Sequence, residues 1–197
     1  MKDRKSEYKI NEIFVNRWSP RAMSGEEINK EELMNLFEAA KWAPSSYNNQ
    51  PWRFIYALKN TRSWNELFDL LVDFNKSWCK NASALVVVIS KKTFDHNGEH
   101  SITHSFDTGA AWENIALQAS INGLVSHGMQ AFDYAKAKKI LEIPENYNVE
   151  IMIAIGKPGK KEDLPKELQE REIPSGRKKI NEIIFEGRFK EVKNENK

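Results

Sequence analysis

Between Pro44 and Pro51 the chain reads Ser45-Ser46-Tyr47-Asn48-Asn49-Gln50, hydroxyls and amides with hardly an apolar residue among them. Proline removes a backbone donor and steers the residue before it towards extended geometry, so the stretch suits neither a helix nor a central strand. Ala43 and Gln50 are expected to be extended. What remains is a stiff loop on which Ser45, Ser46, Asn48 and Gln50 can each donate and accept hydrogen bonds. A flat heteroaromatic with polar edges suits such a surface. The competing use of these side chains is local, satisfying the backbone of their own turn.

Other chemistry-bearing spacings are few. His100 and His104 stand four apart with Asp107 following, which could chelate a metal on a helix, but there is no HExxH pattern and no cysteine cluster. A solvated or interfacial helix start is the preferred reading. Cys79 has no base marked beside it and reads as a small packing residue. Neither GxGxxG nor GxxxxGK[ST] occurs, so the glycine-rich phosphate loops of dinucleotide and nucleotide folds are excluded.

The loop needs elements to hold it. Before it, Asn29 can cap a helix whose first turn carries Glu31 and Glu32 and whose one face is Leu33, Leu36, Phe37 and Ala40. After it, Trp52–Leu58 alternates and is rich in aromatics, a strand. A weaker helical signal covers 10–16. Trp64, Leu67, Phe68 and Leu71 predict a helix over 64–74, with Asn75 at its end, and 84–90 is a buried strand. A long helix is expected over 106–121. Its Gly109, Ala110, Ala111, Ala116 and Ala119 permit the close approach of a neighbouring helix, as an oligomer core requires. Gly123 can end it in a left-handed cap, and a helix over 135–141 and a strand over 149–155 follow. Residues 156–179 are charged and broken by Pro158, Pro165 and Pro174, which reads as a long surface connection. The arm 180–197 then carries Ile180, Ile183, Ile184, Phe185 and Phe189, which must dock on this subunit or on a second one. Irregular alternation of helices and strands round a mixed sheet makes this an α+β chain, expected to be a single domain over 1–197.

Residues Ala43 to Trp52 resemble the Ala-Pro-Ser-Ser-x-Asn-x-Gln-Pro-Trp signature of the nitroreductase family, flavoenzymes that hold FMN between two subunits. Upstream, Arg17-Trp18-Ser19-Pro20-Arg21 is similar to the family's Arg-x-Ser-x-Arg/Lys phosphate segment. Downstream, Asp107-Thr108-Gly109-Ala110-Ala111-Trp112-Glu113-Asn114 is similar to its central helix. His127-Gly128-Met129-Gln130-Ala131-Phe132-Asp133 is similar to its loop over the flavin's reactive edge, and Ile151-Met152-Ile153-Ala154-Ile155-Gly156 to the strand after it. The motifs stand in the family's order from Arg17 to Phe189. The resemblance implies a mixed, mainly antiparallel sheet flanked by helices in an intertwined homodimer, with the C-terminal arm on the partner. It implies that FMN is held by Arg17, Trp18, Ser19, Arg21, Pro44, Ser45, Ser46, Asn48, Gln50, Asn75, Gln130, Ala131 and Arg177, with Arg171, Lys178 and Lys179 close enough to serve in place of Arg177. Guanidinium forks and a serine hydroxyl suit the phosphate. Asn75 stands where the family reads the pyrimidine edge, and the backbone N–H groups of Gln130 and Ala131 stand near flavin N5 and O4. The family often has glycine at Ala131 and a smaller residue at Tyr47.

The activity implied is an FMN-dependent NAD(P)H oxidoreductase, taking a hydride from NADH or NADPH and passing it to a small electron acceptor such as a nitroaromatic or quinone. No catalytic side chain is expected, because the flavin carries the chemistry. Two other readings keep the cofactor: a flavin-sequestering protein without nicotinamide turnover, and a flavin-dependent dehalogenase or dehydrogenase of a specific metabolite, with a lid around His96 to His104. Bulk properties narrow the partners. A net charge of +2 gives no global field for nucleic acid or an acidic membrane, and the basic stretches around Lys160 and Lys178 carry no nucleic-acid motif. The longest apolar run, Ala84 to Ile89, is too short to span a bilayer, and the charged first residues lead into no apolar signal segment. One cysteine permits no internal disulfide, which fits a cytoplasmic protein.

Overall fold

The computed structural model describes residues 4–189, so residues 190–197 of the expected arm lie outside the described chain. Its elements are α1 (Glu12–Asn16), α2 (Lys30–Lys41), β1 (Trp52–Leu58), α3 (Arg62–Phe68), α4 (Asp73–Cys79), β2 (Ala84–Lys91), α5 (His104–Ile121), β3 (Val125–Met129), α6 (Tyr134–Ile140), β4 (Tyr147–Gly156) and α7 (Lys166–Gln169). The strands form a sheet in the order β1-β2-β4-β3. Every pairing in it is antiparallel, so the α+β expectation holds with no parallel pair among the described strands.

Strand side chains alternate between faces, and here both faces are covered. Val86, Val88, Ile153 and Ile155 pack with Leu33, Leu36 and Ala40 of α2 and Ala111, Ile115 and Ala119 of α5. Leu85, Val87, Met152 and Ala154 pack on the other side with Trp64, Leu67, Leu70 and Trp78. Burial of a side chain of this size stabilises the fold by roughly 1.5–3 kcal/mol, so packing fixes α2 and α5 on the sheet far more firmly than helix propensity does. The start of α2 is set locally. Asn29 Oδ1 accepts from Glu32 N at 2.9 Å, and Glu32 Oε2 accepts from Asn29 N at 2.8 Å.

The single helix expected over 64–74 is divided. α3 stops at Phe68, Leu70 and Leu71 turn inward to be buried, and Leu71 forms a β-bridge with Phe132 before α4 begins. Asn75 therefore lies in the first turn of α4 instead of ending a helix. The segment expected to be a loop from His127 is a strand as far as Met129, because it completes the edge of β4 despite a poor strand sequence.

The 156–179 connection is pinned more closely than its composition suggests. Met23 bridges Pro158, Ser24 N donates to Lys157 O at 3.0 Å, and Gly159 N donates to Ala22 O at 3.0 Å. A Cβ on Gly159 would sit 2.5 Å from the Met23 carbonyl carbon, so the approach is open only to glycine. Leu164 and Leu168 are buried, while beyond them Ile183, Ile184 and Phe189 lie more than half exposed in the single chain. Among the described residues no helix is long and apolar enough to cross a membrane.

Candidate functional site

The 45–50 loop is held by an acid that nothing in the sequence tied to the loop. Asp107, in the first turn of α5 and 5% exposed, accepts from Ser46 N at 3.0 Å and from Thr103 Oγ1 at 3.1 Å. Tyr47, Asn48 and Gln50 have φ of 52°, 53° and 48°. Gln50 is thus left-handed, against the extended geometry expected before Pro51. The bond from its N–H to Ser45 Oγ, 3.0 Å long, closes the loop that way. Gln50 Nε2 donates to Asn48 O at 3.0 Å, and the buried Asn49 donates to Thr93 O and accepts from Asp95 N. Ser45 and Gln50 therefore serve the loop itself, whereas Pro44, Tyr47 and Asn48 are exposed. The Tyr47 ring lies 5.5 Å from that of Phe94 and 5.3 Å from that of His96, beside a cavity of about 300 Å³.

Asp107→Ala should strand the Ser46 N–H, release the left-handed residues and cost about 2 kcal/mol, or roughly 4–8 °C in melting temperature. Asp107→Asn, which keeps one acceptor oxygen, should lose less. An unchanged melting temperature in the alanine variant would show that the carboxylate does not hold the loop.

A second cluster forms where the N-terminal segment meets the C-terminal one. Arg17 follows α1 and donates from a terminal guanidinium nitrogen to Ser19 Oγ at 3.3 Å, and its Nε lies 3.7 Å from Glu113 of α5. Arg4, which no motif pointed to, donates to Arg17 O at 2.9 Å. Another of its nitrogens is buried with no hydrogen-bond partner. Burial, with the charges of Arg177 and Arg17, pushes the Arg4 guanidinium below its ordinary pKa. Arg177 is exposed and bonds to Ser175 and Gly176 in its own loop. Trp18 is half-buried in the same segment as Arg17. Arg21 turns elsewhere: one guanidinium nitrogen is 3.8 Å from Glu172 Oε2, while Glu172 Oε1 accepts from Arg21 N at 2.6 Å and Ala22 N at 2.8 Å. The ion pair is loose: Arg21 Nε and Glu172 Oε2 are both buried without a hydrogen-bond partner.

Between these regions the structure brings together residues far apart in sequence. Asn75, buried, donates from Nδ2 to Ala131 O at 2.9 Å, and Asp133 N donates to Leu70 O at 2.9 Å. Gln130 and Ala131 are exposed just past β3. His127 lies tilted against Trp78 with ring centres 4.9 Å apart, and its Nδ1 lies 3.2 Å from Pro20 O. Burial and the nearby Arg21 charge lower its pKa, and the neutral ring ties β3 to the 17–21 segment. Cys79 is buried with its thiol pKa pushed up and its sulfur 3.3 Å from Met129 Sδ, a packing role. His104 Nδ1 is 2.7 Å from Ser90 Oγ, and among the described residues no group of His, Cys, Asp and Glu is placed to hold a metal.

Among the described residues no hydrogen bond or ion pair joins the 45–50 loop to Arg17, Asn75 or Ala131. The loop is tied to the first turn of α5, and Arg17 to Glu113 farther along the same helix. Large apolar side chains stand exposed at the start of α5 and beside it: Ile102 is 87% exposed, Phe106 81% and Trp42 76%.

The family model described as Nitroreductase family matches residues 15–77 and 62–157. The chain belongs to the nitroreductase family. An Archaeoglobus fulgidus protein provisionally named NADH dehydrogenase/NAD(P)H nitroreductase is 29% identical over 163 residues, which is 77% of this chain and 87% of that protein. An oxygen-insensitive NADPH nitroreductase of Helicobacter acinonychis is 43% identical over 69 residues, 33% of this chain and 30% of its own length. A solved structure of an oxidoreductase containing FMN is 45% identical, covers 96% of this chain and 97% of its own, and superposes with a TM-score of 0.92. In this nitroreductase-family chain the Arg17 segment, the loop, Asn75, Gln130 and Ala131 all lie inside the matched span, whereas Arg4 and Arg177 lie outside it.

Proposed function

We propose that this chain forms a homodimeric FMN-dependent NAD(P)H oxidoreductase that reduces a nitroaromatic, a quinone or a similar small acceptor. The observation that carries this reading is one buried guanidinium nitrogen of Arg4 with no hydrogen-bond partner, set among Arg17 and Arg177, in a chain so similar to an FMN-containing oxidoreductase. A buried charged donor left unpaired is unfavourable, and a phosphate supplies what it lacks.

Arg17, Ser19 and Arg177 would hold the FMN phosphate, with Arg21 behind them on Glu172 and Trp18 beside them. Asn75, fixed by its bond to the Ala131 carbonyl, would meet the ring edge, with the exposed Gln130 and Ala131 at its reactive side. The loop of Pro44, Ser45, Ser46, Asn48 and Gln50 would come from the second subunit, which explains why one chain leaves it unconnected to the rest. Ser46 and Asn48 can face the cofactor while Ser45 and Gln50 keep the loop closed. FMN, when bound, supplies the two-electron transfer between nicotinamide and acceptor. The protein's part is to orient and to exclude water, as the Tyr47, Phe94 and His96 rings can do over the loop. The apolar face round Phe106, with Ile183, Ile184 and Phe189 of the arm, would be buried between subunits. A cytoplasmic location, with its supply of reduced nicotinamide, goes with this reading, and the single buried cysteine supports it.

The purified protein should show a flavin absorbance band that bleaches when NADPH or NADH is added without oxygen and returns when a nitroaromatic or quinone follows. A band that persists with both nucleotides would overturn the reductase and leave a flavin-sequestering protein. No band after incubation with FMN would overturn the flavin site itself.

A further inference from the structure

We propose that Arg4, carried by a segment that precedes the family-matched region, is a further direct contact to the phosphate of the bound FMN. The assignment rests on the FMN reading and extends it to a residue that the recognisable motifs leave out.

Three observations carry it. First, Arg4 is fixed at the phosphate end: its guanidinium donates to Arg17 O at 2.9 Å, and Glu7 Oε1 in the same segment accepts from Ile180 N at 2.8 Å. The N-terminal segment is thereby clipped to the C-terminal arm a few residues past Arg177. Second, a second nitrogen of that guanidinium is buried with no hydrogen-bond partner. Buried polar atoms are nearly always paired, and a charged one left unpaired calls for a ligand. Third, the charges around it are only partly compensated, Glu7 being the carboxylate that lines the groove beside it. Among the described residues no carboxylate pairs with Arg4 or Arg177, and the carboxylate on Arg17 is Glu113 at 3.7 Å. The neighbouring Arg177 and Arg17 charges press on Arg4, as its depressed pKa also records. Arg4, Arg177 and Lys178 line a groove of about 840 Å³ whose other walls include Tyr8, Phe14 and Ile180. A phosphate carrying nearly two negative charges, offering several acceptor oxygens, resolves the crowding and satisfies the free nitrogen together.

The test titrates FMN and riboflavin separately into the apo protein, following flavin fluorescence, for the wild type, Arg4→Ala and Arg4→Lys. Riboflavin has the same ring without the phosphate, so it isolates the contact. Arg4→Ala should weaken FMN binding about tenfold or more while changing riboflavin binding by less than about twofold. Arg4→Lys should recover part of the loss, since lysine restores the charge without the fork. The apo form of Arg4→Ala should melt no lower than the wild type, because a crowded charge has been removed. FMN affinity unchanged in Arg4→Ala, or FMN and riboflavin weakened alike, would overturn the proposal. A wild type that binds neither flavin would instead strike the FMN reading on which it rests. Should Arg4→Ala not fold, R4Q carries the same comparison.

Discussion

Phe106→Glu should yield a folded monomer that holds no flavin. In the single chain Phe106 is 81% exposed, so a charge there costs the isolated subunit little, within about 0.5 kcal/mol. In a dimer built on this face the same carboxylate would be buried without a partner, a penalty of several kcal/mol at each copy. Symmetry imposes the penalty twice, which is enough to dissociate the pair at micromolar concentration. The flavin should leave with the dimer, because the 45–50 loop hangs from Asp107, one residue beyond Phe106, and among the described residues makes no hydrogen bond or ion pair to Arg17, Asn75 or Ala131. Sedimentation velocity with absorbance detection at flavin wavelengths reads both outcomes at once. A variant that stays dimeric and yellow would remove this face from the interface. A yellow monomer would show that one chain suffices to hold the cofactor.

Arg17→Ala should reduce FMN affinity by about a hundredfold and leave the apo fold nearly unchanged. A charge-assisted contact to a phosphate is worth roughly 1.5–3 kcal/mol, and Arg17 offers a fork on a side chain only 15% exposed. Its pair with the half-exposed Glu113 is worth about 1 kcal/mol or less, and the bond from Arg4 goes to the Arg17 carbonyl, which alanine keeps. Flavin titration beside apo melting curves separates the effects. Equal FMN affinity would take Arg17 out of the site, and a large fall in apo stability would make it a structural residue.

The parts legible in the sequence were those governed by local rules. Asn29 with Glu32 marked the start of α2, and alternation marked β1 as Trp52–Leu58, because capping and period depend on neighbours in the chain. The break between α3 and α4 was hidden, since Leu70 and Leu71 continue a helical spacing and leave it only for a tertiary reason: both bury, and Leu71 pairs with Phe132. β3 was hidden because Ser126-His127-Gly128 has little strand preference and is a strand by virtue of β4 beside it. In the candidate site, the polar character of the 45–50 loop was plain from residue types. Which of its atoms remain available was not, because that depends on bonds to Asp107, Thr93 and Asp95. Arg4 carried no signal at all; only the folded chain sets it against Arg17.

Glu172 gives the molecule a clock. Its carboxylate receives the N–H groups of Arg21 and Ala22 from 151 and 150 residues earlier in the chain. At about 5–20 residues per second, a ribosome needs roughly 8–30 s to travel that distance, and for all of that time the Arg21 and Ala22 N–H groups lack this acceptor. The pairing of β1 with β2 is complete well before then, and β4 joins β2 only shortly before Glu172 is made. A chain ending before Glu172 would leave those two N–H groups without the carboxylate that receives them.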